Sequence, residues 1–265
     1  GLTVCTDKIG EFEKAINKYA CELEMLPVPT ITLDCRLNPL GATLNTLDAT
    51  ECLAPYGCGN AEPLFGLMGM TVYAVHPLGA KGNTLKITLK RDDLLLVCLK
   101  FGQSMKDFPF RAGDKVDVAV NLKENVYKGT RGITVLVKDI RPSGEDEDAF
   151  FGDRSIYEKF VSTGGLSAAQ AEKILPTRED MAEVFRYLRG HSGFRFSYEM
   201  LWYRLGFRPS FGKMMICLDV MTEFGFITRD YDGKNCVISL ADKMQKNNFD
   251  NSLIIKKLKD RILNG

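Results

Sequence analysis

Between residues 64 and 141 the sequence alternates apolar and polar side chains in one short segment after another, and that repetition leaves few folds open. In Thr84-Leu85-Lys86-Ile87-Thr88-Leu89-Lys90, Leu85, Ile87 and Leu89 fall on one face and the threonines and lysines on the other, the period-two signature of a half-buried strand. Its polar face is basic. Leu94 to Phe101 is a nearly continuous apolar run, Lys115 to Leu122 alternates with Val116, Val118, Val120 and Leu122 inward, and Gly132 to Ile140 repeats the pattern through Ile133, Val135 and Val137. With Leu64 to Val75 in front, five strands are predicted, joined by turns containing Gly and Asp. This suits a small Greek-key barrel of the OB type, with a sandwich of two small sheets as the competing arrangement.

Ahead of the strands, Leu53-Ala54-Pro55-Tyr56-Gly57-Cys58-Gly59-Asn60-Ala61-Glu62-Pro63 crowds Gly, Pro and Asn together and forces a specific turn. Leu53 to Phe65 resembles the L-x-P-[FY]-G-x-G-N-x-x-P-x-F signature that joins the catalytic core to the OB domain in RecJ-type single-strand-specific exonucleases of the DHH family. Asn125-Val126-Tyr127-Lys128-Gly129-Thr130-Arg131, with Val137-Lys138-Asp139-Ile140-Arg141, is similar to the last strand pair of that domain. The resemblance implies an OB barrel that captures single-stranded DNA for a 5′ to 3′ exonuclease of DNA repair and recombination.

Residues 1–50 read as the tail of a domain. Leu2 and Val4 suit a strand; Phe12, Ile16, Tyr19, Ala20 and Leu23 recur at helical spacing until Pro27 and Pro29; Ile31 to Leu33 suits a second short strand. Leu44, Leu47 and Leu53 form one face of a helix leading into the Pro55 turn. One apolar stripe and two short strands cannot enclose a core. By the same resemblance, Gly1-Leu2-Thr3-Val4 fits the end of a G-G-H-x-x-A-A-G motif, so these residues would be the remnant of a DHH-associated α/β domain. The nuclease core, with its divalent Mn²⁺ or Mg²⁺, would lie outside the chain. A two-metal nuclease needs clustered Asp and His ligands to hold ions about 3.5–4 Å apart. Here the only histidines are His76, before Pro77 at a strand end, and His191, before Ser192-Gly193 in a loop, both read as ordinary surface or turn residues and not ligands. The chain is therefore expected to be inactive alone and to carry no cofactor.

Lys plus Arg (35) nearly balances Asp plus Glu (34), so a nucleic-acid site must be a local patch. No apolar run reaches the roughly 18–20 residues of a membrane span, and no signal-peptide pattern opens the chain, so a cytoplasmic location is expected. The eight cysteines lack any CxxC pair, which suits reduced, mostly buried thiols and not zinc.

Glu145-Asp146-Glu147-Asp148, after Pro142-Ser143-Gly144, reads as an acidic linker over 143–153, between an OB domain at 51–142 and a C-terminal domain at 154–265. In the latter, Ile156 to Val161 and Ala168 to Ile174 suit short helices. Thr177, Ser197 and Ser210 are expected to cap three more, and Phe226 to Leu240 forms a hairpin turning at Asp232-Gly233. Three helices and a hairpin is the order of a winged helix. From Phe211 to Phe224, however, Lys213 is the only cation, which favours packing or partner binding over groove reading. Surplus apolar side chains there (Met215, Ile216, Val220, Phe224) are expected to cover the barrel, the missing core or another protein. Arg186, Arg189, Arg195, Arg204 and Arg208 form an alternative basic surface. The tail from Ile254 to Ile262 is a basic amphipathic helix expected to dock on its own domain. The expected class is thus α+β: an OB-type five-stranded β-barrel with a winged-helix-like C-terminal domain.

Holding a strand without regard to sequence requires a basic groove and flat side chains on which bases stack. Lys86, Lys90 and Lys138 supply the charge on strand faces, with Lys81, Lys128 and Arg131 in loops. Tyr73, Phe101 and Tyr127 are the candidate rings. Phe101, at the end of an apolar strand, suits core as well as platform; Tyr127, placed in a turn from Asn125 to Gly129, is the strongest candidate. The ligand expected is single-stranded DNA, and no membrane is implied. The rival reading is a non-catalytic module that binds a single-strand-binding protein or a helicase, and a third is a stand-alone RNA-binding OB protein.

Overall fold

The computed structural model describes residues 2–22, 30–80, 82–233, 235–242 and 248–264. Lys81, Leu23, Pro27 and Pro29 lie outside that set, as does Gly1. Helix α1 (Ile9–Glu22) is followed by a two-residue strand β1 (Cys35–Arg36) and helix α2 (Leu44–Thr50). No strand forms at Leu2 to Val4. The strand expected at Ile31 to Leu33 begins instead at Cys35, after the Asp34 carboxylate has accepted the Leu64 N–H at 2.8 Å. Phe12, Ile16 and Tyr19 do fall on one helix, but their stripe faces solvent.

The barrel is built from β2 (Phe65–Leu78), β3 (Thr84–Arg91), β4 (Leu94–Phe101), β5 (Lys115–Tyr127) and β6 (Thr130–Pro142). Their order is β2-β3-β4-β6-β5, and β5 pairs back with β2, so the sheet closes and leaves β1 alongside β2. The β4–β6 contact is the parallel closure of the barrel, through Cys98↔Val135 and Leu99↔Leu136. Inward residues follow the alternation of the sequence: Leu85, Ile87 and Leu89 of β3 and Val116, Val118 and Val120 of β5 are fully or almost fully buried. Each such side chain contributes about 1.5–3 kcal/mol of apolar burial. Phe108 and Phe110, from the segment joining β4 to β5, pack edge to face at 5.6 Å within the same core, with Leu47 of α2 against it.

The last two strands extend further than the alternation alone predicts. They form one hairpin whose two-residue turn is Lys128-Gly129, both with positive φ (49° and 79°), so Asn125 to Tyr127 belong to β5 and not to the turn. Positive φ at both central residues is the type I′ geometry that matches strand twist.

The second unit begins earlier than expected. Only residues 143–146 separate β6 from α3 (Glu147–Ser162), because Asp146 caps the helix by accepting the Ala149 N–H at 3.0 Å. Glu147 and Asp148 then occupy its first turn, where the helix dipole favours anions. The expected acidic linker is largely this helix, and Phe150 stacks on Trp202 at 5.5 Å. After α4 (Ala168–Ile174), α5 (Arg178–Gly190) starts with the reciprocal Thr177–Asp180 capping box. There follow β7 (Phe194–Phe196), α6 (Tyr198–Arg204), α7 (Phe211–Glu223), β8 (Ile227–Asp232), β9 (Asn235–Leu240) and α8 (Leu253–Asn264). Ser197 caps α6, whereas Ser210 makes no side-chain cap to α7 and its buried hydroxyl has no hydrogen-bond partner among the described residues. Strand β7 adds to the hairpin to give the order β7-β9-β8.

Helix α7 is enclosed on both sides. Met214, Cys217, Leu218 and Met221 join a core with α5, α6 and the hairpin, while Ile216 and Val220 join a second with α4 and the fully buried Ile255 and Leu258 of α8. The surplus apolar surface of α7 is thus covered by its own domain, and α8 docks there as expected.

Candidate nucleic-acid interface

Strands β3 and β4 pair without a break from Thr84↔Phe101 to Arg91↔Leu94. Since Leu85, Ile87 and Leu89 fill the barrel, the alternate residues of β3 and their β4 partners face outward together. The outer surface is a series of rows: Thr84 beside Phe101, Lys86 beside Leu99, Thr88 beside Val97, and Lys90 beside Leu95. Strand β2 extends the same rows with Leu78, His76, Ala74 and Thr71, and β6 places Leu136 beside Leu99. Leu95, Val97 and Phe101 are exposed, Phe101 at 62%. One face therefore alternates ammonium groups with uncovered apolar surface.

Of the apolar half of this face, the sequence points to Phe101 and not to Leu95 or Val97. Leu94 to Phe101 is a nearly continuous apolar run, but only its even half turns inward, through Leu96 and the buried Cys98. The signal was available in β3: wherever its basic face pairs with a neighbouring strand, that neighbour's outer residues must lie beside lysines.

The three candidate rings are all exposed. Tyr73 (56%) sits at a register shift between Val72 and Ala74, an irregularity that re-aims a side chain outward. Tyr127 (69%) ends β5, with the Lys128 ammonium 5.5 Å from its ring centroid. Lys86, Lys138 and Lys128 are exposed and Lys90 half-buried. None of these four joins an ion pair among the described residues.

Arg131 is placed differently from the group in which the sequence put it. Tyr127 pairs with Thr130 and Val126 with Arg131, so the Tyr127 and Arg131 side chains leave opposite faces of the hairpin. The guanidinium is held by Glu124 at 2.6 Å and Asp48 of α2 at 2.9 Å, and those hydrogen bonds push its pKa further up. It fastens the hairpin to α2. Lys100, on the inward half of β4, is half-buried and donates to the Lys138 carbonyl at 3.3 Å; burial pushes its pKa down, with Asp139 opposing.

The arginines of the second unit divide in the same way. Arg204 forks onto Asp114 and donates to the Pro109 carbonyl at 2.8 Å, and Arg195 reaches Asp107 at 3.0 Å and Asp232 at 2.8 Å. Both bind the second unit to the barrel and leave the expected basic surface. The Lys115 N–H donates to the Tyr203 hydroxyl at 3.0 Å, and Met200 enters the barrel core.

A family model described as the RecJ OB domain matches residues 33–139, which takes in β1, α2, the Pro55 turn and all but the end of the barrel. This stretch is a RecJ-type OB domain. The single-stranded-DNA-specific exonuclease RecJ of Bacillus subtilis is 19% identical to the chain over 143 residues, 52% of this chain and 18% of that protein. The chain thus spans about a fifth of the length of the RecJ relatives it matches. Among solved structures, RecJ of Thermus thermophilus in complex with Mn²⁺ aligns at 25% identity over 55% of this chain and 21% of that one, with a TM-score of 0.43. The second single-stranded-DNA-binding protein of Mycobacterium smegmatis aligns over 31% of this chain and 87% of that one, at 20% identity and a TM-score of 0.26.

Beside the RecJ OB domain, no group of three or more His, Cys, Asp or Glu side chains among the described residues is placed to hold a metal ion. The residues described do not fit the divalent ion of a RecJ-type core. Among the described residues no helix is long and apolar enough to cross a membrane. The cysteines depart from expectation: Cys5, Cys35, Cys52 and Cys58 are exposed, and Cys98, Cys217 and Cys236 are buried.

Proposed function

We propose that this chain is the strand-capturing region of a RecJ-type 5′ to 3′ exonuclease acting in DNA repair and recombination, and that the outer β3–β4 face holds single-stranded DNA without reading its sequence. The observation that carries this is the pairing of Lys86 and Lys90 with Leu99 and the exposed Leu95 on one surface that also carries the exposed Val97 and Phe101, with Tyr73 exposed on the neighbouring β2 and Tyr127 at the hairpin tip. Lysines meet phosphates, while apolar rows and rings accept any base; each stacked base is worth about 1–3 kcal/mol. Lys128 and Lys138 extend the charge, and Arg131 contributes by holding the hairpin. The divalent metal and the cleavage belong to a RecJ-type catalytic core.

For the second unit we infer a winged-helix arrangement, supported by the sequence α5-β7-α6-α7-β8-β9 and the addition of β7 to the hairpin. Enclosure of α7 in two cores favours packing and partner contacts over insertion into a groove. A single-strand-binding protein or a helicase is the class of partner this reading names.

The test is a fluorescence-anisotropy titration with oligo-dT of about 20 nucleotides, longer than the roughly 4–16 one OB fold occupies, against a duplex of equal length. Preference for the single strand, with a salt slope reduced by about 1.4 in Lys86→Glu/Lys90→Glu, supports the reading. Equal affinity for the duplex, or an unchanged slope, overturns it.

A further inference from the structure

The lysine-bearing face does not stop at β3. Thr71 of β2 pairs with Lys90 on one side and with Lys115 of β5 on the other, so Leu95, Lys90, Thr71 and Lys115 form one outer row across four strands. At about 4.8 Å per strand, Lys115 lies roughly 10 Å from Lys90. Both Lys115 and Arg111 are exposed, and neither has an ion pair among the described residues. The one carboxylate between them in sequence, Asp114, is consumed by Arg204. The next outer carboxylate of β5, Asp117, accepts the Gly69 N–H and faces Arg141 at 3.6 Å.

This end of the row meets the second unit. Tyr203 receives the Lys115 N–H, and the Arg204 guanidinium lies 5.3 Å from its ring centroid. Tyr187 of α5 stacks on the exposed His191 ring at 4.2 Å. Arg111 belongs to the same end of the row, since its N–H donates to the Asp114 carboxylate on which Arg204 forks. Burial pushes both tyrosine hydroxyls up in pKa, with the charges of Arg204 and Arg111 opposing. In the other direction, along the strands, the β3–β4 turn carries Asp92 and Asp93 against the single exposed cation Arg91, a net negative charge. A phosphate chain leaving Lys90 is attracted sideways, toward Lys115.

We propose that Lys115 and Arg111, with the Tyr187–His191 stack, form a second binding patch for single-stranded nucleic acid, carrying the strand from the barrel face onto the second unit. The patch rests on the reading of the β3–β4 face given above and lengthens its footprint. It makes the docked second unit part of the binding surface and assigns it a role that groove insertion by α7 does not.

The experiment uses the full chain and its Arg111→Glu/Lys115→Glu variant, titrated with oligo-dT of about 6 and about 20 nucleotides, lengths that bracket the footprint of an OB fold. Both side chains are solvent-exposed, and thermal melting checks that the variant is folded. The expected result is a long-oligomer affinity reduced at least fivefold and a salt slope reduced by about 1.4, with short-oligomer affinity changed far less. Long-oligomer affinity and slope equal to wild type, while wild type binds both lengths, overturns the second patch and leaves the barrel face standing. Failure of the wild-type chain to bind either length overturns the barrel reading, and the patch with it.

Discussion

Arg204 and Asp114, ninety positions apart in the chain, meet as a forked pair between the second unit and the barrel, with side chains only 10% and 8% exposed. Asp114 also accepts the Arg111 N–H at 2.8 Å, so the carboxylate organises its own turn as well as the interface. Removing one partner of a buried pair strands the other without solvent. Arg204→Ala is expected to cost about 3–5 kcal/mol in denaturant unfolding, whereas replacing both residues with apolar side chains of similar volume is expected to cost much less. A single variant as stable as wild type would show that the interface carries little of the fold's stability.

Tyr127 and Arg131 share a hairpin but not a face. Tyr127→Ala is expected to weaken oligo-dT binding by about 1–3 kcal/mol without changing the salt slope, since a ring and not a charge is lost. Arg131→Ala should instead leave the slope alone because its guanidinium is already spent on Glu124 and Asp48. A slope that fell in Arg131→Ala would place this arginine on the strand after all.

The contact between Asp107 and Arg195 has a defined response to acid. The Ser104 hydroxyl, donating at 2.7 Å, and then Arg195 hold the Asp107 carboxyl below the usual range. A folded value beneath the unfolded one means that the contribution is complete above the ordinary carboxylate pKa, near 4, and is lost as pH falls through the depressed value. The stability difference between wild type and Asp107→Asn should therefore stay constant from about pH 8 to about pH 5 and shrink only in stronger acid. Urea midpoints across that range measure it, and a difference that disappeared already near neutrality would contradict the geometry.

Thiol reactivity reports the barrel interior. Burial pushes the Cys98 thiol up to about 12, and the thiolate is the reactive form. In a Cys21→Ser background, Cys5, Cys35, Cys52 and Cys58 should react quickly with a disulfide reagent, and Cys98, Cys217 and Cys236 only after unfolding. Fast modification of Cys98 would mean that the barrel opens.

The barrel could be read from the sequence because alternation is a local property: each strand states its own inward face, and Val116, Val118 and Val120 need no distant partner to do so. What stayed hidden depended on long-range contacts. Asp48 lies far from Arg131 in the chain, and nothing near either residue announces their ion pair. In the outward half of β4 the sequence singles out Phe101 alone, because Leu95, Val97 and Leu99 sit in an unbroken apolar run with no alternation to mark a face. The outward turn of that half follows only from the pairing with Lys86 and Lys90. Helix α3 was concealed for a different reason: four successive acids suggest a solvated chain, yet Asp146 is a cap and the two acids after it suit a helix start. The helical spacing of Phe150, Tyr157 and Phe160 behind those acids was the available signal.

Helix α7 answers to two cores at once, with Leu218 in one and Ile216 in the other. A volume change on either face cannot be relieved by tilting the helix, because the opposite face is already packed. Among homologous chains, substitutions should accordingly be sparse along Met214 to Met221 and tolerated freely on the outer face of α8. A helix packed on both faces in this way is a fixed frame of the unit, on which the other elements are hung.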